Sequence, residues 1–328
     1  MQEKIKQFAE MLKESNNIVF FGGAGVSTAS NIPDFRSSDG LYSKKLNRNF
    51  TPEQAVSHTF LMKYPEEFYE FYKKNLVYPD AKPNACHIAL AKLEEMGKLK
   101  AVVTQNIDGL HQAAGSKVVY ELHGSVLRNY CTKCATHYDA QYILNAKGVP
   151  TCEKCGGNVR PDVVLYEEGL DQNVLNGAVR AISEADMLII GGTSLIVYPA
   201  AGLINYFCGR YLVQINKTAT SADSKADLTL NEDIAMVMEE ALKLKDKYIE
   251  YIIDKYVSDL CEGLEYHLNE KLTKLDFLYL KENIKACKLY WSIRSKYKVK
   301  EGDVHKIINK YCYENDSEKF ICKSFKRN

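Results

Sequence analysis

Five short runs of apolar or β-branched side chains, each followed at once by glycine or polar turn residues, constrain this chain more than any other feature. They are Ile18-Val19-Phe20-Phe21, Ala101-Val102-Val103-Thr104, Val118-Val119-Tyr120-Glu121-Leu122, Met187-Leu188-Ile189-Ile190 and Tyr211-Leu212-Val213-Gln214-Ile215. Helical stretches such as His87 to Met96 and Asn173 to Ser183 separate several of them, and Ile5, Phe8 and Leu12 mark a first amphipathic helix ending at Asn16-Asn17. A strand apolar on both faces must be covered on both faces. The pattern therefore predicts a doubly wound α/β domain with a parallel sheet and a ligand site at the carboxyl ends of its strands.

This character stops near residue 245. All eight prolines lie at or before Pro199 and 17 of the 19 glycines at or before Gly209, whereas residues 246–328 are rich in Lys, Glu, Leu, Ile and Tyr and read as a helical C-terminal extension. Lys and Arg total 43 against 42 Asp and Glu, so no global charge draws the protein to nucleic acid or membrane. No apolar run approaches the roughly 20 residues that cross a bilayer. The first 15 residues are charged throughout, unlike a signal peptide, and the expected compartment is the cytoplasm. Ten cysteines in such a chain read as thiols or metal ligands.

The turn Gly23-Ala24-Gly25-Val26-Ser27-Thr28 lets backbone approach a phosphate, and a following helix would aim its N–H groups there. It carries the first two glycines of a dinucleotide fingerprint but Thr28 in the third place, so a tight packing turn fits it equally well. Cys131 and Cys134, then Cys152 and Cys155, form two C-x2-C knuckles with 17 residues between them. That spacing closes four thiolates around zinc and marks a small module inserted at about 128–160; two disulfides or a redox dithiol are the competing readings. Four thiolates leave no open coordination position, so the metal is structural. His123 follows a strand and fits either a packed position or a general base. Gln105, Asn106 and Asp108 follow another strand end, and Asp34 and Arg36 suit ribose or phosphate, although Asn-x-Asp-Gly and Pro-Asp are also good turn chemistry.

The order of these segments is more informative than any one. Gly23 to Arg36, Thr104-Gln105-Asn106-Ile107-Asp108-Gly109-Leu110-His111, Glu121-Leu122-His123-Gly124, the four cysteines and Gly192-Thr193-Ser194-Leu195 closely resemble the sirtuins, the NAD-dependent protein deacylases, over about residues 1–245. The resemblance implies a Rossmann-type domain with a zinc module, NAD as consumed co-substrate and acetylated proteins as partners. It places Ala24, Thr28, Phe35, Arg36, Gln105, Thr193, Ser194, Asn216 and Ile234 at NAD, Asn106, Ile107 and Asp108 at nicotinamide, and His123 as general base. Val164 falls in the segment whose backbone pairs with the substrate peptide. In the mechanism implied, the acyl oxygen attacks the ribose as nicotinamide leaves; the histidine then activates a ribose hydroxyl, which takes the acyl group. A hydrolase or transferase of NAD on the same fold, or an NAD-sensing module acting through its tail, remain the alternatives.

Three segments depart from the family pattern. Asn31 stands where glycine is usual, a mild change because Asn tolerates positive φ. Tyr166-Glu167-Glu168 replaces Phe-Gly-Glu beside the peptide-binding strand. Tyr69-Glu70-Phe71-Tyr72 lacks the Tyr-x-x-Arg pair of succinyl-preferring sirtuins, so neutral acyl groups are expected. The extension carries a helical stripe through Ile249, Ile252, Tyr256, Leu260, Leu264, Leu268 and Leu272. Residues 281–300 hold seven Lys or Arg and one Glu around Tyr290, Trp291 and Tyr297, a basic face more often solvated than bound to nucleic acid. Cys261, Cys287, Cys312 and Cys322 lack knuckle spacing.

Overall fold

A computed structural model describes residues 1–35, 40, 50–243, 273, 278 and 280. Arg36, the stripe from Ile249 to Leu272, the basic stretch 281–300 and the four downstream cysteines lie outside the described residues. Residues Met1–Lys243 form one compact unit. Its elements in chain order are α1 (Gln2–Glu14), β1 (Ile18–Gly22), α2 (Pro52–Ala55), α3 (His58–Lys63), α4 (Pro65–Asn75), α5 (Ala85–Glu95), β2 (Leu99–Thr104), α6 (Leu110–Ala113), β3 (Val119–Glu121), β4 (Gly124–Cys131), β5 (His137–Tyr138), α7 (Ala140–Asn145), β6 (Val159–Val163), α8 (Gln172–Glu184), β7 (Met187–Gly191), β8 (Tyr211–Ile215) and β9 (Leu228–Leu230). A further helical segment covers 234–243.

Six strands form one sheet in the order β3-β2-β1-β7-β8-β9, every pair parallel. With the inserted strands left out, this is the doubly wound order whose topological switch lies between the first and fourth strands, here β1 and β7. All residues of β1 and β7 are buried, as the unbroken apolar runs require. On one face Val19, Phe21, Leu188 and Ile190 pack with Ala178 and Ile182 of α8. The strand β9 has only Leu228, Thr229 and Leu230, too short a run to stand out in the sequence.

Two local differences from the sequence reading have clear causes. No full helix follows the glycine turn. Instead there are two single 3-10 turns, Ala24–Val26 and Thr28–Ser30, ended by Asn31 at φ 62°. Gly25, Ser27, Thr28 and Ser30 are poor helix formers, and Pro33 soon after opposes continuation. The inserted module is also wider than 128–160, because its antiparallel sheet β5-β4-β6 begins at Gly124 and ends at Val163. Its core continues into α2, α3 and α4 through Phe60, Phe68, Tyr69 and Tyr72, making a second lobe from two separate insertions.

Candidate functional site

A cavity of about 840 Å³ opens at the carboxyl ends of the large sheet and extends to the inserted lobe. Its floor is the contact between β1 and β7. The Gly25 N–H donates to the Gly192 carbonyl at 2.8 Å, and Gly192 itself has φ +59°. A Cβ on Gly25 would lie 2.8 Å from the Gly192 Cα, so the two turns touch backbone to backbone and only glycine fits. Thr28, in the third fingerprint place, donates from Oγ1 to the Gly25 carbonyl at 3.0 Å and braces the turn from within.

The polar cluster after β2 converges on this floor. Asn106 Nδ2 donates to Ser27 Oγ at 3.0 Å, and Ser27 Oγ donates to Asp108 Oδ2 at 2.7 Å. The second Asp108 oxygen accepts the Leu110 N–H at 2.9 Å. Burial pushes the Asp108 carboxyl up, against the Leu110 and Ser27 hydrogen bonds that favour its anion. Gly109 at φ +74° closes the Asn-x-Asp-Gly turn, and the same segment lines the cavity. The fully buried Ser27 escaped sequence reasoning. Its only signal was its place inside the glycine turn, where serine also serves as an ordinary turn residue.

Gln105 links three elements. Its amide Nε2 donates to Thr193 Oγ1 at 3.0 Å beyond β7, while its backbone carbonyl lies 2.9 Å from His123 Nδ1 beyond β3. A carbonyl accepts only, so Nδ1 carries the hydrogen and Nε2 is left with a lone pair. Burial lowers the His123 pKa, and the Gln105 carbonyl pulls the other way. The next residue pair crosses between lobes: the Val164 N–H donates to the His123 carbonyl at 3.0 Å.

Ala24, Thr28, Phe35, Gln105, Asn106, Ile107, Asp108, His123, Val164, Thr193, Ser194, Asn216 and Ile234 all line this one cavity. Asn216 Nδ2 turns back to the Thr218 carbonyl at 2.8 Å, and Ile234 begins the 234–243 segment against the end of β7. The departures also have a physical form. Asn31 takes the left-handed conformation, and so does Glu167 at φ +77°, whose Oε2 accepts both the Thr59 N–H at 2.9 Å and its hydroxyl at 2.6 Å. Glu168 accepts from Arg160 at 2.7 and 3.0 Å, lies 2.8 Å from His58 Nδ1 and accepts the Leu165 N–H at 2.9 Å. Burial raises its pKa, but Arg160 and these donors outweigh that and hold it at about 2. Tyr69 and Tyr72 do not reach the cavity. Both are buried in the second core, and the Tyr69 hydroxyl donates to the Val159 carbonyl at 2.6 Å.

The knuckle cysteines meet at the far end of the inserted sheet. Their four sulfurs lie within 4.8 Å of one another, with Cys131–Cys155 at 3.4 Å, Cys134–Cys152 at 3.6 Å and Cys134–Cys155 at 3.3 Å. None is bonded to another. A zinc ion with Zn–S bonds of about 2.3 Å needs sulfurs about 3.8 Å apart at the corners of a tetrahedron, and this cluster fits it with a small expansion. The Tyr138 hydroxyl donates to Cys152 Sγ at 3.1 Å, an outer contact of the kind that orients metal ligands.

A parallel sheet of doubly wound order, a glycine turn at its switch point and a half-buried histidine over the same cleft define a Rossmann-type protein. An inserted module with four clustered thiols stands beside that cleft. The profile of the Sir2 family matches residues 23–199, and the chain belongs to that family. It is 70% identical over 239 residues to an NAD-dependent protein deacetylase of Clostridium perfringens (strain 13 / Type A), covering 73% of this chain and 98% of that relative. A solved Sir2 complex with p53 peptide and NAD+ is 41% identical, with TM-score 0.65, covering 73% of this chain and 97% of that one. A Sir2 variant holding deacetylated p53 peptide and 3′-O-acetyl-ADP-ribose is 40% identical, with TM-score 0.67 and the same coverage of each chain.

Proposed function

We propose that this chain is an NAD-dependent protein-lysine deacetylase that moves the acetyl group of acetyl-lysine to ADP-ribose and releases nicotinamide. The observation that carries this reading is His123: an imidazole on the cavity wall whose Nδ1 is tied to the Gln105 carbonyl. It also adjoins, through its own carbonyl, the Val164 segment assigned to the substrate peptide. NAD, when bound, supplies the ribose carbon that loses nicotinamide and the hydroxyl that takes the acyl group. The Asn106–Ser27–Asp108 chain offers a fixed amide and carboxyl to hold nicotinamide away from the ribose plane. Ala24, Thr28, Phe35, Gln105, Thr193, Ser194, Asn216 and Ile234 are assigned to NAD on the same ground, their common cavity. Val164 would meet the peptide as an added strand.

Cys131, Cys134, Cys152 and Cys155 would hold a structural zinc, with no vacant position for chemistry. Neutral acyl groups suit the site: Tyr72 is buried in the core, and among the described residues lining the cavity the one Lys, Lys217, is paired with Asp233 at 2.9 Å. Among the described residues no helix is long and apolar enough to cross a membrane. We place the protein in the cytoplasm on its free thiols. The catalytic unit is taken as 1–245 and the extension as 246–328, since a relative matched over 98% of its own length leaves about a quarter of this chain unmatched.

The test is incubation with NAD and an acetylated peptide, with products identified by mass. Deacetylated peptide, nicotinamide and O-acetyl-ADP-ribose are expected. ADP-ribose formed without peptide, or NAD left unchanged, overturns the reading, and a His123→Ala variant as fast as wild type overturns the assignment of the base.

A further inference from the structure

His123 stands where the two sheets meet, in the turn that joins β3 to β4. His123 follows β3 of the large sheet, whereas Val164 follows β6 of the inserted one. Their relative position is set where the two lobes join, and the Val164–His123 backbone hydrogen bond is one link there. It extends the antiparallel β4–β6 ladder, whose next pairs are Gly124–Val163 and Ser125–Asp162, and that ladder does not include β3.

A second link lies two residues back on each strand. Arg128 NH1 donates to Glu121 Oε2 at 2.6 Å, and Arg128 Nε donates to Asp162 Oδ2 at 2.9 Å. Glu121 ends β3 two residues before His123, with Leu122 and His123 in the turn that follows, and Asp162 lies on β6 two residues before Val164. The arginine reaches both because β4 bulges. Ser125 pairs with Asp162 and Asn129 with Pro161, leaving Val126, Leu127 and Arg128 opposite no residue of β6. Bulges re-aim side chains next to active sites. This one is itself anchored, since the Val126 N–H donates to the Ile107 carbonyl at 2.9 Å. The rigid guanidinium fork holds two carboxylates at once, one of them, Glu121, only 10% exposed.

We propose that Arg128 is a positioning residue, the strap that fixes His123 against the acyl-lysine held at Val164. The proposal rests on the deacetylase reading. With Arg128 itself half exposed, the strap adds little to global stability; its effect is on geometry, where small displacements of a base cost rate.

The full-length wild type is compared with Arg128→Gln, Arg128→Lys and Glu121→Gln. The measurements are kcat and KM for an acetyl-lysine peptide and for NAD, the melting midpoint, and hydrogen exchange at the Val164 amide. Arg128→Gln is expected to lower peptide kcat/KM about tenfold while KM for NAD moves less than about twofold. Its Val164 amide exchanges about tenfold faster at a nearly unchanged melting midpoint. Arg128→Lys recovers part of the loss, because an ammonium meets one carboxylate well but not both. Glu121→Gln reproduces much of the loss, and adding Arg128→Gln to it costs less than in the wild type. Unchanged peptide kcat/KM overturns the proposal, as does loss that follows melting and NAD affinity in parallel. An inactive wild type overturns the deacetylase reading instead, and unchanged Val164 exchange then overturns the strap by itself.

Discussion

Lowering the pH from 7 to 5 should weaken this fold through two histidines that take no part in the proposed chemistry. His87 and His111 lie face to tilted face beneath the sheet, ring centroids 4.7 Å apart, with Phe20 6.1 Å from His111. Neither His111 nitrogen has a hydrogen-bond partner among the described residues, whereas His87 Nδ1 accepts the Asn84 N–H at 3.3 Å. Burial holds His87 at about 4. Burial, and then the charge of the neighbouring His87, holds His111 at about 3. In the unfolded chain both return to about 6.5. Above pH 7 both states are neutral and the pair is silent. Between about 6.5 and 4 the unfolded chain binds up to two protons that the native state refuses, so stability falls as pH falls, by about 1.4 kcal/mol per unit for each ring. From 6.5 to 5 that is about 4 kcal/mol for the pair, a large part of the 5–15 kcal/mol typical of a domain. Urea unfolding at pH 7 and pH 5 measures it, with His111→Phe as the reference that cancels other titrating groups. Because both His111 nitrogens are unpaired, the variant should match wild type at pH 7 to within about 1 kcal/mol and lose about 2 kcal/mol less on going to pH 5. Parallel losses in the two proteins would refute the argument.

The zinc reading predicts about one equivalent of zinc per chain, lost on Cys152→Ser, and chelation that unfolds the β5-β4-β6 module before the large sheet, seen as early exchange of the Val159 amide. Acetyl-lysine peptides should be turned over faster than succinyl-lysine peptides, and a reversed order would sink the neutral-acyl assignment. His123→Ala should abolish deacetylation while the protein still melts near the wild-type temperature, as a lost base and not a lost fold.

The large sheet was legible in the chain. Ile18 to Phe21 and Met187 to Ile190 have to be buried on both faces, and a run of four such residues has few other places to go. The knuckles were legible for a similar reason, since the requirement that four sulfurs share one ion is written in local spacing. Asn31 announced its own left-handed turn. Other features depend on partners far away in sequence. Ser27 matters because Asp108, 81 residues later, accepts its hydroxyl. Tyr69 and Tyr72 align with a specificity motif, yet the tertiary structure turns both into the second core, where the Val159 carbonyl takes one hydroxyl. His123 fits a packed position and a general base equally well in the sequence, and only the fold places its Nδ1 on the Gln105 carbonyl and its ring at the cavity. Sequence pattern thus determined which strands lie inside and which cysteines meet, because burial and metal geometry act over a few residues. Which polar groups face one another across the cleft was decided only by the fold, because that pairing joins segments far apart in sequence, such as Gln105 and Thr193, 88 residues apart.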